Sequence, residues 1–154
     1  MIETIKEIST SDTFLVRYPV LRAGKPLESC RFKGDDLATT KHFGLFVDKN
    51  LVGVISAFEN KSDSFIENRQ FQIRGMAVLS SEQGKGFGEK LLGFVEDYVR
   101  NQKGDLIWFN ARSIAVVFYE KYGYTITGNA FEIPEVGTHY IMYKTLDNSF
   151  HVCL

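Results

Sequence analysis

Chemistry in this chain concentrates in Gln83-Gly84-Lys85-Gly86-Phe87-Gly88, where three glycines fall within five residues. Glycine leaves the backbone amides bare. The helical pattern that begins at Phe87 adds unpaired N–H groups and the positive end of a macrodipole. An apolar run, from Ile73 to Leu79, leads into the hexapeptide. Strand, bare loop and helix start, in that order, form a cradle for a phosphate or pyrophosphate. Two common cradles do not fit. A Walker A loop needs Ser or Thr after its lysine, and Lys85 is followed by Gly86. A dinucleotide fingerprint needs G-x-G-x-x-G and an acid ending the next strand, whereas the glycines here stand at 84, 86 and 88 and Asn110 takes the acid's place. One glycine would serve a tight strand-to-helix turn; three at alternate positions point to repeated close approach of a ligand to the backbone.

The elements that must position this loop follow from hydrophobic periodicity. Residues 2–7 predict a first strand, and Thr10-Ser11-Asp12 predicts the N-cap of a helix carrying Phe14, Leu15, Tyr18 and Leu21 on one face. Residues 22–36 hold Gly24, Pro26 and Gly34 without a sustained period, so they read as loop with at most one helical turn. Residues 43–47 and 51–55 flank Asp48-Lys49-Asn50 as a hairpin, and residues 60–68 form a polar connection. A long strand follows over 71–79, with Phe71, Ile73, Ala77 and Leu79 on one face and Gln72, Arg74, Met76 and Val78 on the other. Phe87, Leu91, Phe94, Val95, Tyr98 and Val99 then recur at helical spacing until Gly104. Residues 106–109 are a buried strand, 113–122 a helix closed by Gly123 at C′, and 124–131 and 137–144 two closing strands. The predicted fold is mixed α/β (α+β), a single domain over 1–154. It has a mostly antiparallel twisted sheet of about seven strands, about four flanking helices and one βαβ crossover.

Bulk properties narrow the function. A chain of 154 residues with 44% hydrophobic and 24% charged residues suits one globular domain. A formal net charge of −1 argues against nucleic acid or an anionic membrane as a partner, so a phosphate ligand must be held by local geometry. Cys30 and Cys153 match no disulfide or metal framework, which predicts no metal and a reducing, cytoplasmic setting. The N-terminus has acids and no signal-peptide core, and no run approaches the roughly eighteen apolar residues of a membrane span.

Gln83, Gly86 and Gly88 fit the pattern Gln/Arg-x-x-Gly-x-Gly/Ala between a strand and a long helix. This loop resembles the acyl-coenzyme A site of the Gcn5-related N-acetyltransferase (GNAT) superfamily. Asn110-Ala111-Arg112 and Phe118-Tyr119-Glu120-Lys121-Tyr122-Gly123-Tyr124 resemble that family's second motif, and the element order fits from residue 2 to 145. The resemblance implies an acyl-CoA N-acyltransferase fold and acetyl-CoA as co-substrate, with no metal. It further implies transfer of the acetyl (acyl) group to a primary amine, on a small molecule or peptide, within a ternary complex. Neither cysteine sits in a motif for a covalent carrier.

By the same resemblance the pyrophosphate lies on the amides of Gly84, Lys85, Gly86, Phe87 and Gly88, with Lys85 either adding charge or standing solvated. The pantetheine arm pairs with the main chain of Met76, Ala77 and Val78, where an N–H can polarise the thioester carbonyl. Tyr119 matches the tyrosine that gives a proton to the departing thiolate; core packing is the rival reading. Asn110 either hydrogen-bonds the pantetheine or amine, or caps a helix. The general base stays open among Glu59, Glu67, Glu132, Glu135, His139 and water. Tyr18, Leu21-Arg22 and Gly24-Lys25-Pro26-Leu27-Glu28 resemble small acetyltransferase-like proteins of undefined substrate. In the superfamily that region lines the acceptor side, so Arg17 or Arg22 is either a carboxylate holder or an exposed helix charge. The alternative function is a catalytically idle domain that binds CoA as a sensor or interaction module; an unrelated nucleotide-binding fold is a second. Assembly, as monomer or homodimer, is left open.

Overall fold

The computed structural model describes residues 1–146, so Cys153 lies outside the described residues. The element order is β1 (Glu3–Ile8), α1 (Thr10–Leu21), β2 (Lys41–Val47), β3 (Asn50–Glu59), β4 (Gln70–Val78), α2 (Phe87–Asn101), β5 (Leu106–Arg112), α3 (Val116–Lys121), β6 (Thr125–Ile133) and β7 (Gly137–Thr145). Seven strands hydrogen-bond in the order β1-β2-β3-β4-β5-β7-β6. β1–β2, β2–β3, β5–β7 and β6–β7 are antiparallel, and β4–β5 is parallel across α2. This is the mixed, mostly antiparallel sheet with one crossover that the pattern predicts. The described residues contain three α-helices rather than about four, the other helical pieces being single 3₁₀ turns such as Leu27–Cys30.

The chain forms two compact units. In the first, Met1–Glu59 with Ile73–Tyr98, the buried Val16, Val54 and Ala77 gather Ile8, Val20, Leu21, Leu51 and Leu79 around them. Phe43 adds edge-on contacts to Phe94 and Tyr98, with ring centroids 5.0 and 5.2 Å away. The β2–β3 turn is one residue shorter than predicted, because Asn50 already belongs to β3 and Asp48 turns the chain at φ +58°. The N-cap of α1 is Ser9 rather than a residue of Thr10-Ser11-Asp12. Its side chain accepts from the Asp12 N–H while the Asp12 carboxylate accepts from the Ser9 N–H, a capping box. The predicted apolar face of α1 is also corrected: Thr13, Val16 and Arg17 are buried and Leu15 is 67% exposed.

In the second unit, Asn60–Gln72 with the chain from Val99 onward, β5 buries Leu106, Ile107, Phe109 and Ala111. The end of α2 shows how a glycine can be needed without positive φ. Lys103 takes the left-handed C′ position at φ +63°, while Gly104 donates to the Val99 carbonyl at 2.9 Å. Gly104 is fixed by space, since a Cβ there would lie 2.4 Å from Val99 Cγ1 and 2.9 Å from Phe71 Cδ1. Gly123 does act as the predicted C′ residue, at φ +92°, with Tyr124 N–H reaching the Tyr119 carbonyl at 3.2 Å. The predicted helix 113–122 divides into a 3₁₀ turn, Ser113–Ala115, and α3. No helix among the described residues is long and apolar enough to cross a membrane.

Candidate active site

The donor loop grows out of β4. Pairing of β4 with β5 covers only Gln70, Gln72 and the Phe71 between them, so β4 runs on for Ile73–Val78 with main-chain groups that β5 does not use. Within that stretch Ala77 is buried and Met76 and Val78 are half-buried. The strict alternation predicted here breaks at Gly75, whose φ of +67° leaves Arg74, Gly75 and Met76 half-buried in succession. Beyond β4 the chain makes a 3₁₀ turn, and Gln83 Nε2 donates back to the Val78 carbonyl at 3.0 Å, tying the loop to the strand end.

Gly84 and Gly86 hold φ of +80° and +82°, the left-handed region that costs other residues roughly 1–2 kcal/mol. A Cβ on either would meet nothing within 4 Å, so backbone conformation, with open space outside, requires glycine there. The Gly86 carbonyl accepts from the Lys90 N–H at 3.2 Å, which starts α2. The N–H groups of Phe87, Gly88 and Glu89 therefore lie in a first turn that has no helical carbonyl to receive them. Bare amides and a helix start meet at one loop, as anion binding requires. Lys85 Nζ is paired with Glu82 at 3.0 Å, so its charge is matched within the loop.

In the second unit Tyr119, on α3, packs its ring 4.4 Å from Phe109, 5.2 Å from Phe118 and 6.2 Å from Tyr124. Its hydroxyl makes no hydrogen bond among the described residues. Burial pushes its pKa up to about 12, so the phenol keeps its proton throughout the neutral range. The packing and acid readings of Tyr119 are thus compatible. For Asn110 one reading falls. It lies inside β5 opposite Ile141, exposed on the face away from Phe109, while the cap position of α3 is Ala115. Asn110 is not a helix N-cap.

Of the five base candidates, Glu132, Glu135 and His139 belong to the β6–β7 hairpin. The His139 ring is buried and its Nδ1 lies 2.8 Å from the Gly137 carbonyl. A carbonyl only accepts, so Nδ1 carries the hydrogen and the neutral ring keeps its lone pair on Nε2. Glu132 accepts from the Thr138 hydroxyl. Glu59 ends β3 in the first unit and Glu67 lies in the polar connection of the second. Among the described residues no group of three or more His, Cys, Asp or Glu side chains is arranged to hold a metal.

Sequence reasoning missed a buried polar network in the first unit. Arg17 is fully buried and forms a two-bond pair with Asp35, Nη1–Oδ2 at 2.7 Å and Nη2–Oδ1 at 3.2 Å. It also donates to the Cys30 carbonyl at 2.8 Å and to Ser56 Oγ at 3.0 Å. His42 lies between Ser56 Oγ, 2.6 Å from Nδ1, and the Asp35 carbonyl, 2.9 Å from Nε2. Burial holds its pKa down, so the neutral ring accepts from Ser56 and donates to Asp35. The reading of Arg17 as a solvated helix charge or a free carboxylate holder is therefore overturned. A cavity of about 500 Å³ beside Phe32 and Asp35 is also lined by Arg31, Asp36 and Glu28. Arg31 there pairs with Asp36 at 2.8 Å and Glu28 at 3.5 Å, which leaves its charge matched.

Comparison with known proteins defines the class. The acetyltransferase (GNAT) domain family matches residues 31–144. The uncharacterized N-acetyltransferase YitI of Bacillus subtilis (strain 168) is 32% identical over 145 residues, covering 94% of this chain and 97% of that protein. Escherichia coli ElaA superposes with a TM-score of 0.73 at 18% identity, over 93% of this chain and 99% of its own. An aminoglycoside 6'-N-acetyltransferase complexed with coenzyme A gives 0.73 at 17% identity, over 94% and 97%. At such identities these two structures establish the acyl-CoA N-acyltransferase fold. The chain belongs to the GNAT acetyltransferase family and is an N-acetyltransferase enzyme, of a family that uses acetyl-CoA.

Proposed function

We propose that the chain acts as one cytoplasmic acetyltransferase domain over residues 1–154, moving an acetyl group from acetyl-CoA directly to a primary amine of a small molecule or peptide. The observation that carries this reading is the left-handed pair Gly84 and Gly86 feeding bare amides into the start of α2. That loop receives the pyrophosphate, with Gln83 fixing its position and Lys85 contributing little. Met76, Ala77 and Val78 offer the pantetheine their main chain, and one of their N–H groups faces the thioester oxygen. The coenzyme A seen with the aminoglycoside relative supports the same donor here.

In the step itself the neutral amine attacks the thioester carbon, a C–N bond forms, and the C–S bond breaks. The amine's proton leaves to a base, one of Glu59, Glu67, Glu132, Glu135, His139 or water. Tyr119 is the proton donor to the departing sulfur, the role that its match to the family's second motif implies. Its pKa of about 12 stands above the ~8.5 of a thiol, so it stabilises the nascent thiolate first as a hydrogen-bond donor. Asn110 orients the pantetheine or the amine. Cys30 is buried, and desolvation raises its thiol pKa, which favours direct transfer over a covalent cysteine carrier.

Tyr119→Phe keeps the ring and removes the donor. The expected outcome is a kcat about a hundredfold lower, with KM for acetyl-CoA within about twofold. An unchanged kcat would remove Tyr119 from the mechanism. Coenzyme A binding without turnover on any amine would instead make the domain a sensor or interaction module.

A further inference from the structure

Three guanidinium groups surround one aromatic ring in the first unit. Arg17, Arg74 and Arg22 lie 3.9, 4.9 and 5.1 Å from the centroid of Phe32. They come from α1, from β4 and from the residue after α1, so no stretch of sequence announces the cluster. One carboxylate serves it: Asp35, held by Arg17 through both oxygens. Arg22 spends its donors on the carbonyls of Ser29 at 3.2 Å and Leu21 at 3.1 Å. Among the described residues Arg74 donates only to the Lys33 carbonyl, at 3.5 Å. Neither Arg22 nor Arg74 has a carboxylate partner among the described residues.

Three cations that share one carboxylate leave positive charge in excess, and a protein that keeps it there, partly buried, holds a site suited to an anion. A second observation points the same way. Arg17 Nε is the one buried side-chain polar atom among the described residues with no hydrogen-bond partner. It lies 3.2 Å from where a Cβ of Gly75 would stand, beside Arg74 on the strand. Such an orphaned donor calls for a partner.

We propose that the acceptor amine carries a carboxylate, and that Arg74 and Arg22 bind that carboxylate beside Phe32. The inference rests on the acetyl-transfer reading above and names its substrate class. A planar guanidinium fork matches a carboxylate's two oxygens, and the ring of Phe32 keeps the forks in place. Arg74 stands two residues before Met76 on β4, about 7 Å along the strand from the proposed thioester seat. That separation suits a small amino acid, whose amine and carboxylate are a few bonds apart.

Free-thiol release from acetyl-CoA tests this with matched amines: an amino acid, its amide, its decarboxylated amine and a phosphorylated amine. Wild-type kcat/KM is expected at least tenfold higher for the free carboxylate than for its neutral partners. Arg74→Ala is expected to raise the acceptor KM about tenfold and to collapse that discrimination, with the acetyl-CoA KM within twofold. Arg74→Lys should recover part of the preference, and Arg22→Ala should weaken it less. Equal use of the matched amines by wild type overturns the inference while leaving acetyl transfer intact. So does preference for the phosphorylated amine, or an Arg74→Ala loss shared equally by all four. Coenzyme A binding by calorimetry with no thiol release on any amine overturns the acetyl-transfer reading and this inference together. If Arg74→Ala lowers the melting temperature, the folded Arg74→Lys and Arg74→Gln variants carry the same comparison.

Discussion

The loop Gln83–Gly88 and the cluster on Phe32 both belong to the first compact unit, and they meet negative charge by opposite means. The loop uses main-chain N–H groups and a helix start, and its lysine is neutralised by Glu82. The cluster uses side-chain guanidinium groups gathered from distant positions, and the three share one carboxylate, Asp35, which among them is hydrogen-bonded to Arg17 alone. A backbone cradle depends on conformation, so it should tolerate loss of charge and fail on gain of a Cβ. A charge cluster depends on its counter-ions, so it should fail on loss of a carboxylate.

The largest effect expected from breaking this contrast is at Asp35. Asp35→Asn leaves Arg17 charged and buried without its partner, a loss of about 3–5 kcal/mol in urea unfolding. A loss under about 1 kcal/mol would mean that Arg17 finds another counter-charge. Next comes Gly86→Val, which forces a branched residue to φ +82° and sets a side chain in the open space over the loop. Coenzyme A affinity measured by calorimetry should fall at least tenfold, on the strength of roughly 1–2 kcal/mol of backbone strain together with the blocked approach. Unchanged affinity would separate the loop from the donor. Lys85→Ala should have the smallest effect, less than about threefold on coenzyme A affinity, because Lys85 is already paired at the surface. A tenfold loss there would show that the loop too relies on side-chain charge.

The same contrast explains what the sequence made legible. The donor loop is contiguous, Gly84 and Gly86 are required by φ, and α2 behind it has a clear period, so residues 83–88 could be read directly. Gly123 was legible for the same reason. The Phe32 cluster was not, because Arg17, Arg22, Phe32, Asp35 and Arg74 meet only in the fold. α1 misled in a related way: counting arginine as an outward residue placed Leu15 inside and Arg17 outside, the reverse of what the Asp35 pair enforces. At Gly75 a single left-handed residue in a strand upset an alternation that otherwise held. Asn110 looked like a cap because the apolar run 106–109 ends just before it, yet β5 continues through Arg112 with Ala111 buried.

Amine-dependent release of free thiol from acetyl-CoA tests the central claim most directly. The account predicts release by the wild-type protein that rises with acceptor concentration, saturates, and falls to the uncatalysed rate when the amine is omitted. Release that ignores the amine, or none across a panel of amines despite bound coenzyme A, would contradict it.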